Sequence, residues 1–497
     1  MSAAYQLGLK LSSEGRHAEA ISQYEEALAR APGDARVLFA LGNTARALGM
    51  AEAAGQFYGR VLEIEPGRIE ALVNLANLLR AEGRFDAAIA LLEPALARAP
   101  ESPELHLTLG SAHREKGEAA KAIARYRAAL AIRPDYAPAL SNLADMLCDA
   151  GAREEALTLY DAAIRAAPKD AQVRLNRAIL HLLNGELKAG WRDYDARTGI
   201  AGKVPRTDLR LAPWTGGSLK RTRLLVRAEQ GVGDQILFAG LIPDLAARAK
   251  AEGGSIVLEC EPRLQPLFAR SFPDVTVRPA AIRTAGGVPE ADYGWLKSAG
   301  GANAAILMGS LPRYLRAAPE DFPHPHAFLV PDAAEAARWR DVFGAGAVGI
   351  CWRSGRMGGH RAIQYAPPEA WGRFLRGIER PLVCVQYDAT AEDVAELERI
   401  SGRRIIVPDG IDQKNELDRA AAMLSALDGV VSAPTAVACL AAATGTRTLK
   451  LLYDTSWTAL GRDHEPFTPA CACVSPDAPG DWPQVFEKAK ERLTARP

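Results

Sequence analysis

The first 200 residues repeat one pattern of small, aromatic and proline positions with a period of 34 residues. The recurring prolines are Pro32, Pro66, Pro100, Pro134 and Pro168, and the alanines on the same period are Ala20, Ala54, Ala88, Ala122 and Ala156. A third register holds the small residues Gly8, Gly42, Ala76, Gly110, Ala144 and Ala178, and a fourth holds rings or leucine at Tyr24, Tyr58, Leu92, Tyr126, Tyr160 and Tyr194. Small residues let two helices approach closely, rings fill the space beside them, and proline ends the second helix. The spacing therefore predicts a series of helix pairs.

These registers resemble those of the tetratricopeptide repeat (TPR), in which helix pairs stack into a superhelix with a concave groove. Five regular units span residues 1–34, 35–68, 69–102, 103–136 and 137–170. A sixth unit, 171–198, is degenerate, because Gly190 replaces the alanine and no proline follows. Such a last unit is typical of a cap or of a junction with the next domain. We expect an α-helical TPR superhelix over residues 1–198.

Asparagine and arginine recur on the helices that line the predicted groove. Amide side chains bind a peptide backbone whatever its sequence, and arginine favours acidic or carbonyl-rich segments. We therefore predict a groove that binds a protein acceptor, the alternative being positions that are merely solvated. The predicted groove residues are Asn43, Asn74, Asn77, Asn142, Asn176, Arg46, Arg80 and Arg114.

The pattern changes after residue 198. Residues 199–220 are rich in glycine, proline and basic residues and are interpreted as a linker. Short apolar runs then alternate with helical stretches, which indicates parallel sheets with right-handed crossovers. A break near residues 323–326 divides this region into two Rossmann-like lobes, 221–328 and 329–497, with a cleft between them and a C-terminal helix.

Composition limits the function classes. The chain has 497 residues, and its 60 Lys and Arg balance 60 Asp and Glu, which argues against binding to nucleic acid or to an anionic membrane. No apolar run is long enough to span a membrane, and the N-terminus lacks a secretory signal. Seven scattered cysteines contain no CxxC pair and are typical of free thiols. We expect a cytoplasmic protein.

Several catalytic classes lack their motifs. The glycine loop GVGD, residues 231–234, is not the GxGxxG of a dinucleotide site, and no GxxxxGK[ST], HExxH or GxSxG occurs. Clustered His and Cys ligands are also missing, so no metal site is predicted. Asp234 remains, where a strand end meets a helix start. On spacing alone it is equally a helix N-cap or a general base that faces the cleft.

Four further segments carry a second resemblance: AEQGVGDQILFAGLIPDL, GICWRSG, ALDGVVSAPTAVACLAAATG and SWTALGRD. In this order they resemble heptosyltransferase-like glycosyltransferases of the two-lobed GT-B type, and in particular bacterial proteins that fuse such a domain to TPRs, some of them flagellin glycosyltransferases. The resemblance implies an inverting, metal-independent transfer in which Asp234 is the base. It also implies a phosphate site made by Arg353, Ser354, Arg356 and Arg361 and by the helix that begins at Thr435 and Ala436.

The chain departs from this family in its second lobe. Pro434 and Cys439 stand where the family commonly has aspartate and histidine. Donor contacts are then expected from Gln386, Tyr387, Thr435 and the segment 457–462. The resemblance implies a CMP-, UDP- or ADP-sugar as the donor, with no other cofactor, and its flagellin branch implies a nonulosonic acid.

Three functions stay open at this stage. The first is a protein O-glycosyltransferase that modifies Ser or Thr of a TPR-bound acceptor such as flagellin, since a small lipid-linked acceptor would not need six repeats. The second is a non-catalytic scaffold whose transferase domain is degenerate, which Pro434 and Cys439 favour. The third is a transferase that acts on a surface polysaccharide, the repeats only assembling a complex.

Overall fold

A computed structural model describes residues 2–285, 288–322, 327–355 and 364–494. The chain forms two compact units, Met1–Val173 and Arg174–Pro497. The boundary lies inside the first helix of the sixth repeat, about 25 residues before the boundary that the sequence predicted. The remainder of that repeat therefore belongs to the second unit.

Paired helices make up the first unit, as the 34-residue period predicts. Each A helix is followed by a three-residue turn and a B helix: α1 Ala3–Ser13 and α2 His17–Arg30; α3 Ala35–Ala47 and α4 Ala51–Ile64; α5 Ile69–Ala81 and α6 Phe85–Arg98; α7 Pro103–Glu115 and α8 Ala119–Ile132; α9 Ala137–Asp149 and α10 Arg153–Ala166. The sixth pair is α11 Ala171–Leu183, which crosses the boundary, and α12 Leu187–Tyr194. The turns contain glycines with a positive φ, which a glycine adopts at little cost.

The small-residue and ring registers meet as predicted. A Cβ added to Gly42 would lie 2.6 Å from Cε1 of Tyr58, and one added to Gly110 would lie 2.7 Å from the same atom of Tyr126. Both tyrosine rings are fully buried. The absence of a side chain in the A helix therefore makes the space that the ring of the B helix fills.

Two parallel sheets organise the second unit. The first has the order β1-β7-β2-β3-β4, from β1 Ala212–Pro213, β2 Arg223–Arg227, β3 Ser255–Cys260, β4 Thr276–Pro279 and β7 Ala304–Leu307. The second has the order β10-β9-β8-β11-β12-β13, from β8 Val348–Cys351, β9 Leu382–Cys384, β10 Ile405–Ile406, β11 Gly429–Ser432, β12 Thr448–Leu451 and β13 Cys471–Val474. An antiparallel hairpin, β5 Ile282–Ala285 and β6 Val288–Ala291, lies between β4 and β7 in the chain.

Helices connect the strands of both sheets: α13 Val232–Ala239, α14 Ile242–Glu252, α15 Gln265–Ser271, α16 Pro312–Leu315, α17 Ala333–Phe343, α18 Pro368–Arg376, α19 Ala391–Ser401, α20 Leu417–Ser425, α21 Ala436–Ala443 and α22 Trp482–Thr494. One buried apolar cluster includes residues from both sheets and from the helices between them, such as Leu258, Trp339 and Leu424. The two sheets are therefore joined by a shared core.

Part of the predicted linker pairs with the first sheet. Residues 199–220 contribute β1, whose Ala212 and Pro213 pair in parallel with Ala304 and Ala305 of β7. Trp214, just after it, is buried and donates a hydrogen bond to the Gly217 carbonyl at 3.0 Å. An edge strand of two residues gives little periodic signal, which is why composition alone indicated a linker.

Candidate functional site

The carboxyl ends of the two sheets meet through two short helices. Strand β2 leads into α13, and strand β11 leads into α21. A Cβ added to Gly233, in the first turn of α13, would lie 3.5 Å from the Cα of Ala436, the first residue of α21. Ligands of parallel α/β folds bind where strands end and helices begin, so this junction is the candidate site.

Asp234 is the third residue of α13 and is half-buried. Burial raises the pKa of its carboxyl to about 6, and the neighbouring charge of Glu229 adds to this. A hydrogen bond from the Gly231 backbone and the cations Lys203 and Arg197 act in the opposite direction. The N-cap residue of α13 is Gly231, so the interpretation of Asp234 as an N-cap is wrong. Such a carboxyl can accept a proton near neutral pH.

The loop before α13 is fixed through its backbone and its side chains. The Ala228 N–H donates to Oε2 of the buried Glu259 at 3.0 Å. The Gln230 amide donates to the hydroxyl of Tyr194 at 2.9 Å, and Gln235 donates to the Gln230 carbonyl at 2.8 Å. Because these partners come from β3, α12 and α13, the loop that leads to Asp234 is held from three directions.

An ion pair with Arg197 holds Glu229, which lies in the loop that leads to Asp234. Nη2 and Nε of Arg197 contact the two carboxylate oxygens at 2.6 and 3.2 Å, and the side chains of Glu229 and Arg197 are only 1% and 4% exposed. The Gly309 N–H also donates to Glu229, at 2.8 Å. Sequence reasoning missed this pair, since Arg197 follows the last repeat helix and carries no motif.

Aromatic rings pack beside this loop. Tyr194 of α12 lies 5.4 Å from Trp457, between ring centroids, and Trp191 contacts both Trp457 and Phe238 edge to face. Trp457 begins the segment 457–462, from which donor contacts are predicted. The structure places its first residue against the end of the sixth repeat, where Arg197 also lies over the ring of Tyr194.

The N-terminus of α21 has no side-chain cap. Thr435 is the N-cap residue, but its hydroxyl contacts Ser432 at 3.2 Å and Cys351 at 3.6 Å instead of a backbone amide of the helix. The first-turn N–H groups of α21 thus lack a side-chain acceptor from their own N-cap, which is a suitable arrangement for an anion. Thr435 and Ala436 stand at this uncapped N-terminus, and their predicted contact with phosphate stays a prediction.

Arg353 and Gln386 have partners that the sequence did not indicate. Arg353 pairs with Asp388 at 3.1 Å and with Asp393 at 2.7 Å, and its side chain is 20% exposed. Gln386 is buried, and its Oε1 accepts from the backbone N–H groups of Trp352 and Arg353, each at 3.0 Å. The observed role of Gln386 is to join the ends of β8 and β9, and its predicted contact with the donor stays a prediction.

The other predicted donor residues lie at the same sheet edge. The Tyr387 hydroxyl accepts from the Gly355 N–H at 2.8 Å, which places Tyr387 against the loop after β8. Ser354 in that loop is half-buried. Arg356 and Arg361 fall outside the described residues. Their predicted contact with phosphate stays a prediction.

A second buried ion pair was also missed. Lys450 of β12 pairs with Glu465, their side chains being 7% and 2% exposed, and Lys450 also donates to Ser456 at 3.2 Å and to Thr458 at 3.3 Å. A single lysine within the apolar strand sequence TLKL was the signal that could have found it. The pair fixes the segment just before Trp457.

Most of the predicted groove residues contact neighbouring repeats. Asn43 accepts hydrogen bonds from the Tyr58 hydroxyl at 2.7 Å and from the Asn74 amide at 3.0 Å. Asn142 donates to Ser111 of the preceding repeat at 3.4 Å. These side chains thus bond polar groups of neighbouring repeats along the stack. Their predicted contact with a peptide backbone stays a prediction.

The groove arginines differ in their exposure and partners. Arg80 holds Glu115 through two hydrogen bonds, of 2.6 and 2.9 Å, and also donates to Asn77 at 2.7 Å. Arg114 pairs with Asp145 at 3.2 Å. Arg46 and Asn77 are exposed, and Asn176 is half-buried in the part of α11 that belongs to the second unit. Arg46 and Asn77 therefore remain the most accessible of the predicted contacts.

Comparison with known proteins agrees with the helical period. Tetratricopeptide repeat models match residues 11–78, 73–137 and 113–180. Residues 11–180 are tetratricopeptide repeats. Among solved structures, a thermophilic TPR protein of Thermus thermophilus is 28% identical, with 36% of this chain and 97% of that chain covered and a TM-score of 0.32. PilW, a type IV pilus biogenesis factor, is 21% identical, with 39% and 89% covered and a TM-score of 0.35.

One relative extends beyond the repeats. Protein FlbA of Caulobacter vibrioides (strain ATCC 19089 / CIP 103742 / CB 15) is 33% identical over 328 residues, which cover 65% of this chain and 55% of FlbA. The chain thus matches little more than half the length of that relative. An alignment of 328 residues is longer than the repeat region, so the likeness includes part of the α/β unit.

Within the described ranges, no helix is both long and apolar enough to cross a membrane. Among the same residues, no group of three or more His, Cys, Asp or Glu side chains is arranged to hold a metal ion.

Proposed function

We propose that this chain is an inverting, metal-independent protein O-glycosyltransferase of the two-lobed GT-B type. Its substrates are a nucleotide sugar and a Ser or Thr hydroxyl of a protein that the repeats bind. A flagellin-like protein is the candidate acceptor and a nonulosonic acid the candidate sugar, both because of the family resemblance. The observation that carries the proposal is the meeting of the α13 and α21 N-termini at Gly233 and Ala436.

In the proposed reaction, Asp234 accepts the proton of the acceptor hydroxyl while the hydroxyl oxygen attacks the anomeric carbon. The bond between that carbon and the donor phosphate breaks from the opposite side, so the configuration inverts. The nucleotide leaves with the bonding electrons, and the N–H groups of α21 stabilise its phosphate. A base with a pKa of about 6 is mostly ionised at neutral pH, as this step requires.

Nucleotide binding tests the donor half of the proposal. All eight tryptophans lie after residue 173, so tryptophan fluorescence reports the unfolding of the second unit alone. We expect one of CMP, UDP, ADP or GDP to raise the melting temperature, since a ligand at a hundred times its Kd stabilises by about 2.7 kcal/mol. Inorganic phosphate at matched ionic strength is the control. No shift with any of the four nucleotides would contradict the proposal.

A scaffold is the second candidate, and the pairing of Arg353 favours it. This arginine is held by Asp388 and Asp393 rather than directed at an open anion site. In this alternative the repeats bind a partner and the α/β unit has lost its chemistry. Partner binding without any nucleotide binding, measured by calorimetry on the full chain, would support the scaffold.

A further inference from the structure

We infer that Arg197 is a positioning residue for Asp234, because it neutralises Glu229 and fixes that carboxylate beside the base. This inference rests on the proposed function, in which Asp234 takes the acceptor proton. It assigns a role at the site to the turn after α12, which follows the last helix of the degenerate repeat.

The geometry leaves Glu229 fully engaged. Arg197 contacts both of its oxygens, and the Gly309 N–H supplies a third hydrogen bond. A Cβ at Gly309 would lie 2.7 Å from Oε1 of Glu229, so the backbone can approach only because the residue is glycine. These three hydrogen bonds hold the Glu229 carboxylate in place, in the loop that leads to Asp234.

Arg197 is itself fixed by other contacts. It donates to the Ser310 hydroxyl at 3.0 Å, to Asp195 at 3.2 Å and to the Tyr194 carbonyl at 3.2 Å. Asp195 is shared with Arg313, at 2.8 Å. The guanidinium is therefore held independently of Asp234, as a positioning residue requires.

The charges around Asp234 come from several elements. Glu229 lies in the loop after β2, Tyr194 ends α12, and Arg197 and Lys203 follow it. Cys439 lies on α21, where Asp234 and Lys450 both influence it. Among these groups Glu229 is the neighbour whose charge opposes ionisation of Asp234, while Arg197 and Lys203 favour it.

The two partners therefore have opposite effects on Asp234. Removing the Glu229 charge in Glu229→Gln leaves Arg197 in place, so the pKa of Asp234 is expected to fall. Removing the guanidinium in Arg197→Met leaves Glu229 uncompensated, so the pKa of Asp234 is expected to rise. Each titration midpoint is expected to move by about one pH unit, the scale on which a neighbouring charge changes the pKa of a buried carboxyl.

The test is a carboxyl titration of the full-length chain labelled with ¹³C at aspartate Cγ. The resonance of Asp234 is identified by its loss in Asp234→Asn. We expect a lower midpoint in Glu229→Gln, a higher one in Arg197→Met, and an unchanged one in Arg192→Met, a control on an exposed arginine of α12. Equal midpoints in Glu229→Gln and the wild type, or shifts of the two variants in the same direction, would overturn the inference.

The design separates this inference from the proposed function. The titration needs neither donor nor acceptor. It therefore tests the role of Arg197 even if the chain transfers no sugar. If Arg197→Met fails to fold, the nearly isosteric Glu229→Gln still tests the direction of the shift. If the chain is active, the acid limb of its pH profile should move with the titration, whereas a purely structural role would only lower the maximum rate.

Discussion

Gly233 of α13 lies against Ala436 of α21, with room between them for one methyl group. A methyl group added at Gly233 would stand 3.5 Å from the Cα and 3.6 Å from the Cβ of Ala436, an ordinary contact. The two residues belong to helices that follow strands of different sheets. This contact brings Asp234, one residue after Gly233, to the uncapped N-terminus of α21.

Substitution of Gly233 tests that contact. Gly233→Ala should leave the stability of the second unit nearly unchanged, because its methyl group finds an ordinary contact distance. Gly233→Val adds two methyl groups directed at Ala436 and should cost about 1–3 kcal/mol. Urea unfolding followed by tryptophan fluorescence measures both. Equal stability of the two variants would show that the helices are further apart in solution.

The burial of Asp234 predicts a pH-dependent gain in stability for Asp234→Asn. The pKa of this carboxyl is 3.8 in a solvated reference and about 6 in the folded chain, so ionisation is costly after folding. The cost is absent below about pH 4, grows between pH 4 and 6, and reaches about 3 kcal/mol above that range. The variant should therefore be more stable than the wild type by about 3 kcal/mol at pH 8, and by about half of that at pH 5.

The same tryptophan-monitored unfolding measures this effect at both pH values. Asp341→Asn, at an exposed position of α17, is the matched control and should change stability little at either pH. A variant Asp234→Asn that is no more stable than the wild type at pH 8 would contradict the raised pKa.

In the repeats, the packing around Tyr58 predicts opposite changes in stability when two glycines are replaced by alanine. Gly42→Ala places a methyl group 2.6 Å from the buried ring and should cost about 1–3 kcal/mol. Gly59→Ala, inside α4 with no atom within 4 Å, should gain about 0.5–1 kcal/mol from helix propensity. Thermal unfolding followed by far-UV circular dichroism compares them. A destabilised Gly59→Ala or a neutral Gly42→Ala would be inconsistent with this packing.

The bond between Tyr58 and Asn43 predicts a structural role for the groove amides. Tyr58→Phe removes one hydrogen bond from Asn43 and should lower stability by about 1 kcal/mol. Asn74→Ala removes the other and should act in the same direction. The exposed Asn77→Ala should stay within about 0.5 kcal/mol of the wild type. The stabilities of the three variants are compared by far-UV circular dichroism. Equal stabilities would contradict this structural role and favour the predicted role of the amides in binding an acceptor.

The regular parts of the fold could be predicted from the sequence. The 34-residue period fixed the helix pairs because each register has a packing reason, as Gly42 and Tyr58 show. Apolar runs predicted β2, β3 and β4 in the first sheet and β8 to β12 in the second. Strands β1, β5, β6, β7 and β13 were not predicted, since most of them are short or carry no clear run of β-branched residues.

The contacts of the site could only partly be predicted. Asp234 and Ala436 were found because strand ends and helix starts leave a local signal. The pairing of Arg197 with Glu229, or of Arg353 with Asp388, depends on which elements the fold brings together. Such a pairing leaves no local signal in the sequence. An arginine in a loop gives the same sequence pattern whether it binds a phosphate or a carboxylate of its own chain. The groove amides show the same ambiguity.

Intact-mass measurement of an acceptor tests the central claim most directly. The flagellin of the organism that carries this chain is incubated with the full chain and with the sugar conjugate of whichever nucleotide raises its melting temperature. We expect a mass increase of one or more sugar residues with the wild type and none with Asp234→Asn, although both bind flagellin equally. An unmodified flagellin that is demonstrably bound to the wild-type chain, in the presence of a bound donor, would contradict it.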